Sequence, residues 1–153
     1  MELGSVSTAT RLFTVAAANR LVPLLEETFS LVRSQREELR LNVASLQELG
    51  FDFTGDSVSS DVAANPEAST LYQRCTQLHD AILGSLNDLT ELGVEIKGLD
   101  GLVDVRSRYR GRVVYLCWRE SEPAFAFWHE LDAGFAGRRP IEDPEAFEGM
   151  LLN

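Results

Sequence analysis

A chain of 153 residues with 44% hydrophobic and 25% charged side chains is long enough for one domain with a real core and too short to expect two. Its net charge of −10 and pI near 4.6 argue against general affinity for nucleic acid or for an anionic membrane surface. Two cysteines make no disulfide framework, Met1–Arg11 shows no secretory leader, and no apolar run approaches bilayer length, so the expected setting is a reducing, cytoplasmic one.

The first element is a helix over 14–49. Thr14 caps it, and its apolar stripe runs Ala18, Val22, Leu25, Phe29, Val32, Arg36, Leu39, Val43, Leu46, alternating steps of four and three with Arg36 as the single break. Pro23 comes too late for the first turn of that run, which predicts a bend or a second start there. Gly50 supplies a left-handed stop. Residues 50–65 are polar, with Phe51 and Phe53 as the large apolar exceptions, and read as a mobile connection. Asn65–Pro66 is a cap followed by a first-turn proline, and opens a second helix over 66–92 whose stripe is Leu71, Cys75, Leu78, Ile82, Ser85, Leu89, Leu92. Together they predict a long antiparallel helical hairpin.

After Gly93 the period changes from helical to alternating. Val94 and Ile96 face one way, Glu95 and Lys97 the other. Asp100–Gly101 and Arg110–Gly111 mark hairpin turns, Leu102–Arg106 and Val113–Arg119 read as strands, and Ser121–Pro123 turns the chain into Ala124–His129. The expected class is α+β in a single domain: the helical hairpin, then a small four-stranded β-meander and loop over 94–140, then a tail over 141–153 with a short helix at Pro144–Leu152. At about 1.5 Å per residue the helices reach about 54 and 40 Å, more than a compact body of this size requires, which predicts a homodimer that completes them.

The segments FTVAAANRLVPLL, GVEIKGLDGLVD, VYLCWR and FWHELDAGFAGRRP together resemble the bacterial domain of unknown function 2203 family. The resemblance covers nearly the whole chain, rests most on the C-terminal motif, and implies a helical hairpin with a sheet. It implies no reaction.

Four groups of residues carry chemical potential. His129, Glu130 and Asp132 lie near Cys117 if their strands pair, but adjacent strand residues face opposite ways, so a metal would need His129, Asp132 and a distant donor. The plainer reading is a half-buried His129 bonded to a backbone carbonyl or to Asp132. Cys75 and His79, four apart on one helix face, make a zinc site possible in principle with Cys117 and His129, although Cys75 sits on the apolar stripe as a small filler. Arg106, Arg108, Arg110, Arg112, Arg119, Arg138 and Arg139 form a basic set, with Arg138 and Arg139 following two glycines in a segment suited to a phosphate or carboxylate. The alternative is pairing with Glu120, Glu130, Asp132 and the acidic tail. Tyr115, Trp118, Phe125, Phe127, Trp128 and Phe135 fall on both sheet faces, so one set packs on helices and the other meets the Leu131–Pro140 segment, a ligand or a second subunit. His129, Asp132 and Arg138 are expected to form one polar cluster on that segment.

Nucleophilic catalysis finds little support: no GxSxG elbow is present, and Cys117 beside Trp118 on an apolar strand reads as buried and inert. The expected function is a non-enzymatic interaction or small-ligand-binding module. Its ligand-binding candidates are Trp118, Arg119, Trp128, His129, Asp132, Arg138 and Arg139, and its expected ligand is a small anion. The alternative is a small metal-dependent hydrolase centred on His129 and Asp132. No cofactor is favoured, and zinc through Cys75, His79, Cys117 and His129 is the lesser option.

Overall fold

The computed structural model describes residues 11–150. Residues 1–10, which bear on the expected lack of a leader, and 151–153, the end of the expected tail helix, lie outside them. Among the described residues the order is α1 Val15–Asn19, α2 Val22–Glu48, α3 Ser60–Ala63, α4 Pro66–Glu91, β1 Glu95–Gly98, β2 Leu102–Tyr109, β3 Arg112–Arg119, β4 Phe127–His129, β5 Arg139–Pro140 and β6 Phe147–Glu148. The class is α+β: long helices first, an antiparallel sheet after them. Among the described residues, no helix is long and apolar enough to cross a membrane.

The chain packs as two compact units. One unit contains the residues up to Phe29 with those from Leu86 onward; the other is Ser30–Ser85. Each has its own apolar cluster, which is the physical reason for the division.

In the sheet-bearing unit, Thr14 caps α1 through its hydroxyl, which accepts from the Ala17 amide. The helix stops at Asn19 and restarts at Val22, because Pro23 has no N–H to offer the carbonyl one turn back. The break leaves the Asn19 side chain free to cap a distant amide, and its oxygen accepts from Phe125 N–H at 2.7 Å. At the far end, Gly93 takes φ +101° and lets the Val94 amide bond back to Leu89.

Six strands pair, two more than the meander expected from sequence. The path is β1-β2-β3-β4-β5, all antiparallel, and β6 adds to β2 where β1 no longer covers it. The extra pairs are two residues long, too short to show as alternation. Pro144–Ala146 is a single 3-10 turn, not the start of a helix, because the chain straightens immediately to pair Phe147 with Tyr109. Met150 then bridges Leu12.

Alternation sorts the sheet. Val103, Val105, Val114, Leu116, Trp118 and Trp128 face the core with Val15, Ala18, Val22, Leu25, Phe29 and Leu89. Asp104, Arg106, Tyr115, Cys117 and His129 project from the opposite face.

The second unit joins the rest of α2 and α4 around Leu46, Val62, Ala68, Tyr72 and Cys75. Arg74 of α4 holds Glu38 of α2 through two hydrogen bonds. The 50–65 connection is better anchored than its composition suggests. Phe53 packs edge-on against Tyr72, whose hydroxyl donates to the Asp56 carbonyl at 2.9 Å, and α3 buries Val62.

Candidate functional site

The sheet face away from the helices carries polar side chains that are nevertheless buried. Asp104 of β2 lies opposite Cys117 of β3, and His129 of β4 lies opposite Tyr115. Asp104, Cys117 and His129 are only 3%, 1% and 2% exposed, so their polar atoms must satisfy one another. His129 Nε2 stands 3.1 Å from Asp104 Oδ1, and its Nδ1 is 2.7 Å from the Glu130 carbonyl. A carbonyl only accepts, so Nδ1 carries a proton and donates it. That bond fixes the ring and aims Nε2 at Asp104. One donor atom from each of the three residues lies within 4.8 Å of the others, and among the described residues no other group of three metal-ligating side chains meets that condition.

The Cys117 thiol is pushed up to about 12 by burial first, and then by the neighbouring Asp104 carboxylate. It is not a nucleophile in this state. His129 has no ring nitrogen left over for a substrate, so Cys117 and His129 do not form a nucleophile–base pair.

Around this centre lies a charged network. Glu95 accepts from Arg106 Nε at 2.8 Å and from the Tyr115 hydroxyl at 2.7 Å. Burial pushes its carboxyl up, but those two donors together with the Arg106 and Lys97 charges outweigh burial and hold it below the ordinary range. Lys97 sits 3.5 Å from Glu95 and 3.9 Å from Asp104 Oδ2. A cavity of about 120 Å³ opens over the centre, lined by Lys97, Tyr115, Leu131 and Phe135 among others.

A second concavity lies on the other face, at the β2–β3 turn. This cleft of about 560 Å³ has an aromatic floor of Tyr109, Trp128 and Phe147 and carries Arg110, Arg112 and Arg139. Tyr109 stacks on Phe147 at 4.4 Å with nearly parallel rings. Arg110 lies 5.0 Å from the Tyr109 ring and Arg139 5.2 Å from the Trp128 ring. Arg112 is held by Glu130, with Nε 3.0 Å from Oε1. Among the described residues, neither Arg110 nor Arg139 makes an ion pair within 4 Å, although the Arg139 charge, after Arg112, helps hold the Glu130 carboxyl below the ordinary range. Arg110 occupies the turn with φ +53° and Gly111 with φ +80°, the pattern of a tight turn in which Asn is usual and Arg is costly.

The residues singled out from sequence therefore occupy different places. His129 joins Cys117, and the carboxylate beside it is Asp104. Asp132 is exposed in the turn after β4. Arg138 pairs with Glu122 at 2.7 Å, its guanidinium between the rings of Phe127 and Phe135. The expected cluster of His129, Asp132 and Arg138 is thus not formed, because Asp104 and Glu122 lie nearer across the sheet and its turn. Trp118 is fully buried in the core and donates to the Glu122 carbonyl, while Arg119 is exposed with its guanidinium 5.6 Å from the Phe135 ring. Trp128 and Arg139 line the aromatic cleft. Cys75 is packed among apolar residues of the helical unit, and His79 lies beside Phe53 and Asp80. Asp104 escaped the sequence reading although it was available there, as the one acid between two valines in a strand.

A family model described as "Uncharacterized conserved protein (DUF2203)" matches residues 11–141. The chain belongs to the DUF2203 family. No curated protein and no solved structure matches it. The DUF2203 match spans every strand carrying the Asp104–Cys117–His129 centre, and it takes in Tyr109–Arg112, Trp128 and Arg139 of the cleft while ending before Phe147.

Proposed function

We propose that this DUF2203 protein is a non-enzymatic module that binds a small, planar anion in the cleft between the β2–β3 turn and β5. The carrying observation is the arrangement of Arg110 and Arg139, both without ion-pair partners among the described residues, against an aromatic floor within about 560 Å³. That volume lies in the range of small-molecule sites. Tyr109 is the part-exposed ring of the floor, Trp128 and Phe147 being only 6% and 3% exposed, and the guanidinium groups beside it offer forked donors to a carboxylate or phosphate. Glu142 and Asp143 also line the cleft, which disfavours a highly charged ligand and favours one anionic group on an aromatic or heterocyclic body.

The hydrolase centred on His129 and Asp132 has less support. Asp132 is exposed, and both ring nitrogens of His129 are engaged.

The test is a titration of untagged protein with benzoate, inorganic phosphate and a nucleoside monophosphate, followed by tryptophan fluorescence. Trp128 lines the cleft and Trp118 is buried in the core, so a ligand there changes the Trp128 contribution. An aromatic anion is expected to bind, and Arg139→Ala to weaken it at least tenfold with melting unchanged, since Arg139 is exposed. Equal binding to Arg139→Ala, or no response to any of the three, defeats the reading.

The same proposal includes a homodimer in a bacterial cytoplasm, without nucleic acid. The apolar side chains Leu31, Leu41 and Leu83, about half exposed on the helical unit, support self-association. The net charge of −10 supports the absence of a nucleic-acid partner. Light scattering that returns about 17 kDa across the micromolar range removes the dimer.

A further inference from the structure

Independently of the cleft, and on the opposite sheet face, we propose that Asp104, Cys117 and His129 bind one divalent transition-metal ion of the zinc class, with a fourth coordination position open to the cavity beneath Leu131 and Phe135.

Geometry is the first argument. The three donor atoms lie within 4.8 Å of one another. A tetrahedron with metal–nitrogen and metal–oxygen bonds of about 2.0–2.1 Å has an edge of roughly 3.3 Å. The observed separation of His129 Nε2 and Asp104 Oδ1 is 3.1 Å, so an ion enters with a shift of a few tenths of an ångström. All three ligands stand on adjacent, hydrogen-bonded strands, which hold them more firmly than a loop does.

Orientation is the second. Metal-bound histidines usually donate their other ring N–H to a carbonyl or carboxylate, and the Nδ1–H bond to Glu130 is of that kind. Asp104 presents Oδ1 to the centre while Oδ2 faces Lys97, an arrangement suited to a single metal bond with a supporting cation behind it.

Charge balance is the third. Without an ion, one proton lies between His129 Nε2 and Asp104, and another lies on the Cys117 sulfur. A divalent ion takes both positions and releases two protons to solvent, leaving the total charge of the buried centre unchanged. That avoids the penalty of adding net charge to a dry site. One sulfur, one nitrogen and one oxygen select zinc or cobalt over magnesium or calcium, which take oxygen cages. The adjoining space of about 120 Å³ has room for a water or a small ligand as fourth donor.

The experiment uses full-length protein purified without an affinity tag, stripped with chelator and titrated with Co²⁺. Expected are visible bands of tetrahedral cobalt and a near-ultraviolet thiolate-to-cobalt band that saturate at one equivalent and are displaced by Zn²⁺. Cys117→Ser removes the thiolate band, and Cys75→Ser retains it. Asp104→Asn keeps the band but weakens binding by more than the roughly 10–100-fold lost with a supporting partner. X-ray absorption of zinc-loaded wild type needs no variant and is expected to return one sulfur with nitrogen and oxygen donors. No saturable ion, a thiolate band that survives Cys117→Ser or vanishes in Cys75→Ser, or a zinc shell without sulfur overturns the proposal.

Discussion

Replacing Asp104 by alanine and by asparagine separates what its charge contributes from what its hydrogen bonds contribute. Asp104 is 3% exposed and accepts from His129 Nε2, with the Cys117 thiol beside it. Alanine removes that acceptor. Breaking one side of a buried ionic pair costs about 3–5 kcal/mol. Asparagine keeps the volume. Its amide N–H can donate to Nε2 of a neutral His129, which retains Nδ1–H for Glu130. The ionic part of the His129 pair and the attraction toward Lys97, 39% exposed, are lost while the hydrogen bond is kept, so asparagine should cost about 1–2 kcal/mol. Urea unfolding of chelator-treated protein measures the difference. Trp118 and Trp128 both lie in the sheet-bearing unit, so their fluorescence reports on that unit. At a slope of about 2 kcal/mol per molar urea, a loss of 4 kcal/mol moves the midpoint down by about 2 M. The reasoning is refuted if alanine costs under about 1 kcal/mol, or if asparagine is as damaging as alanine.

Three further outcomes are expected. The Cys117 thiol is held protonated up to about 12, well above its unfolded value, so the stability it contributes is complete below the unfolded thiol range and is lost as pH rises from there toward 12. Cys117→Ser should therefore lose less stability than wild type between pH 9 and 11, and neither cysteine of the native protein should react with a thiol reagent until denaturant is added, since both are buried. Gly93→Ala should destabilise by more than Gly111→Ala in the same unfolding assay. Both have positive φ, costing about 1–2 kcal/mol for a side chain, but a Cβ at Gly93 meets Arg11 Cδ at 2.9 Å and Phe13 Cε1 at 3.0 Å, while Gly111 faces open space. Arg138→Ala should cost about 2–3 kcal/mol by thermal melting, because it removes a partly buried ion pair and two ring contacts, and Arg138→Lys should recover only part of this, since an ammonium does not lie flat between Phe127 and Phe135.

Local chemistry determined a large part of this protein from the sequence by itself. The apolar steps of four and three place Ala18, Val22, Leu25, Phe29 and Val32 in the interior, and all five are buried. Thr14, Asn65–Pro66 and Gly93 set helix ends where their side chains, ring or φ permit it. The turn at Arg110–Gly111 even contained part of the buried centre. A two-residue turn pairs 109 with 112, and counting outward sets Asp104 against Cys117. What the turn does not contain is the third member. His129 reaches Asp104 across the width of β3, and only the sheet's assembly decides that this distance is spanned while Asp132, three residues from the histidine, stays in solvent. The same holds for β5 and β6, pairs of two residues whose ladders form because longer strands are already there to receive them. The aromatic cleft is likewise tertiary, since Phe147 stacks on Tyr109 from 38 positions away in sequence. Periodicity and capping are read over a few residues, whereas which acid meets which base depends on which strand edges are free, and that is a property of the folded chain.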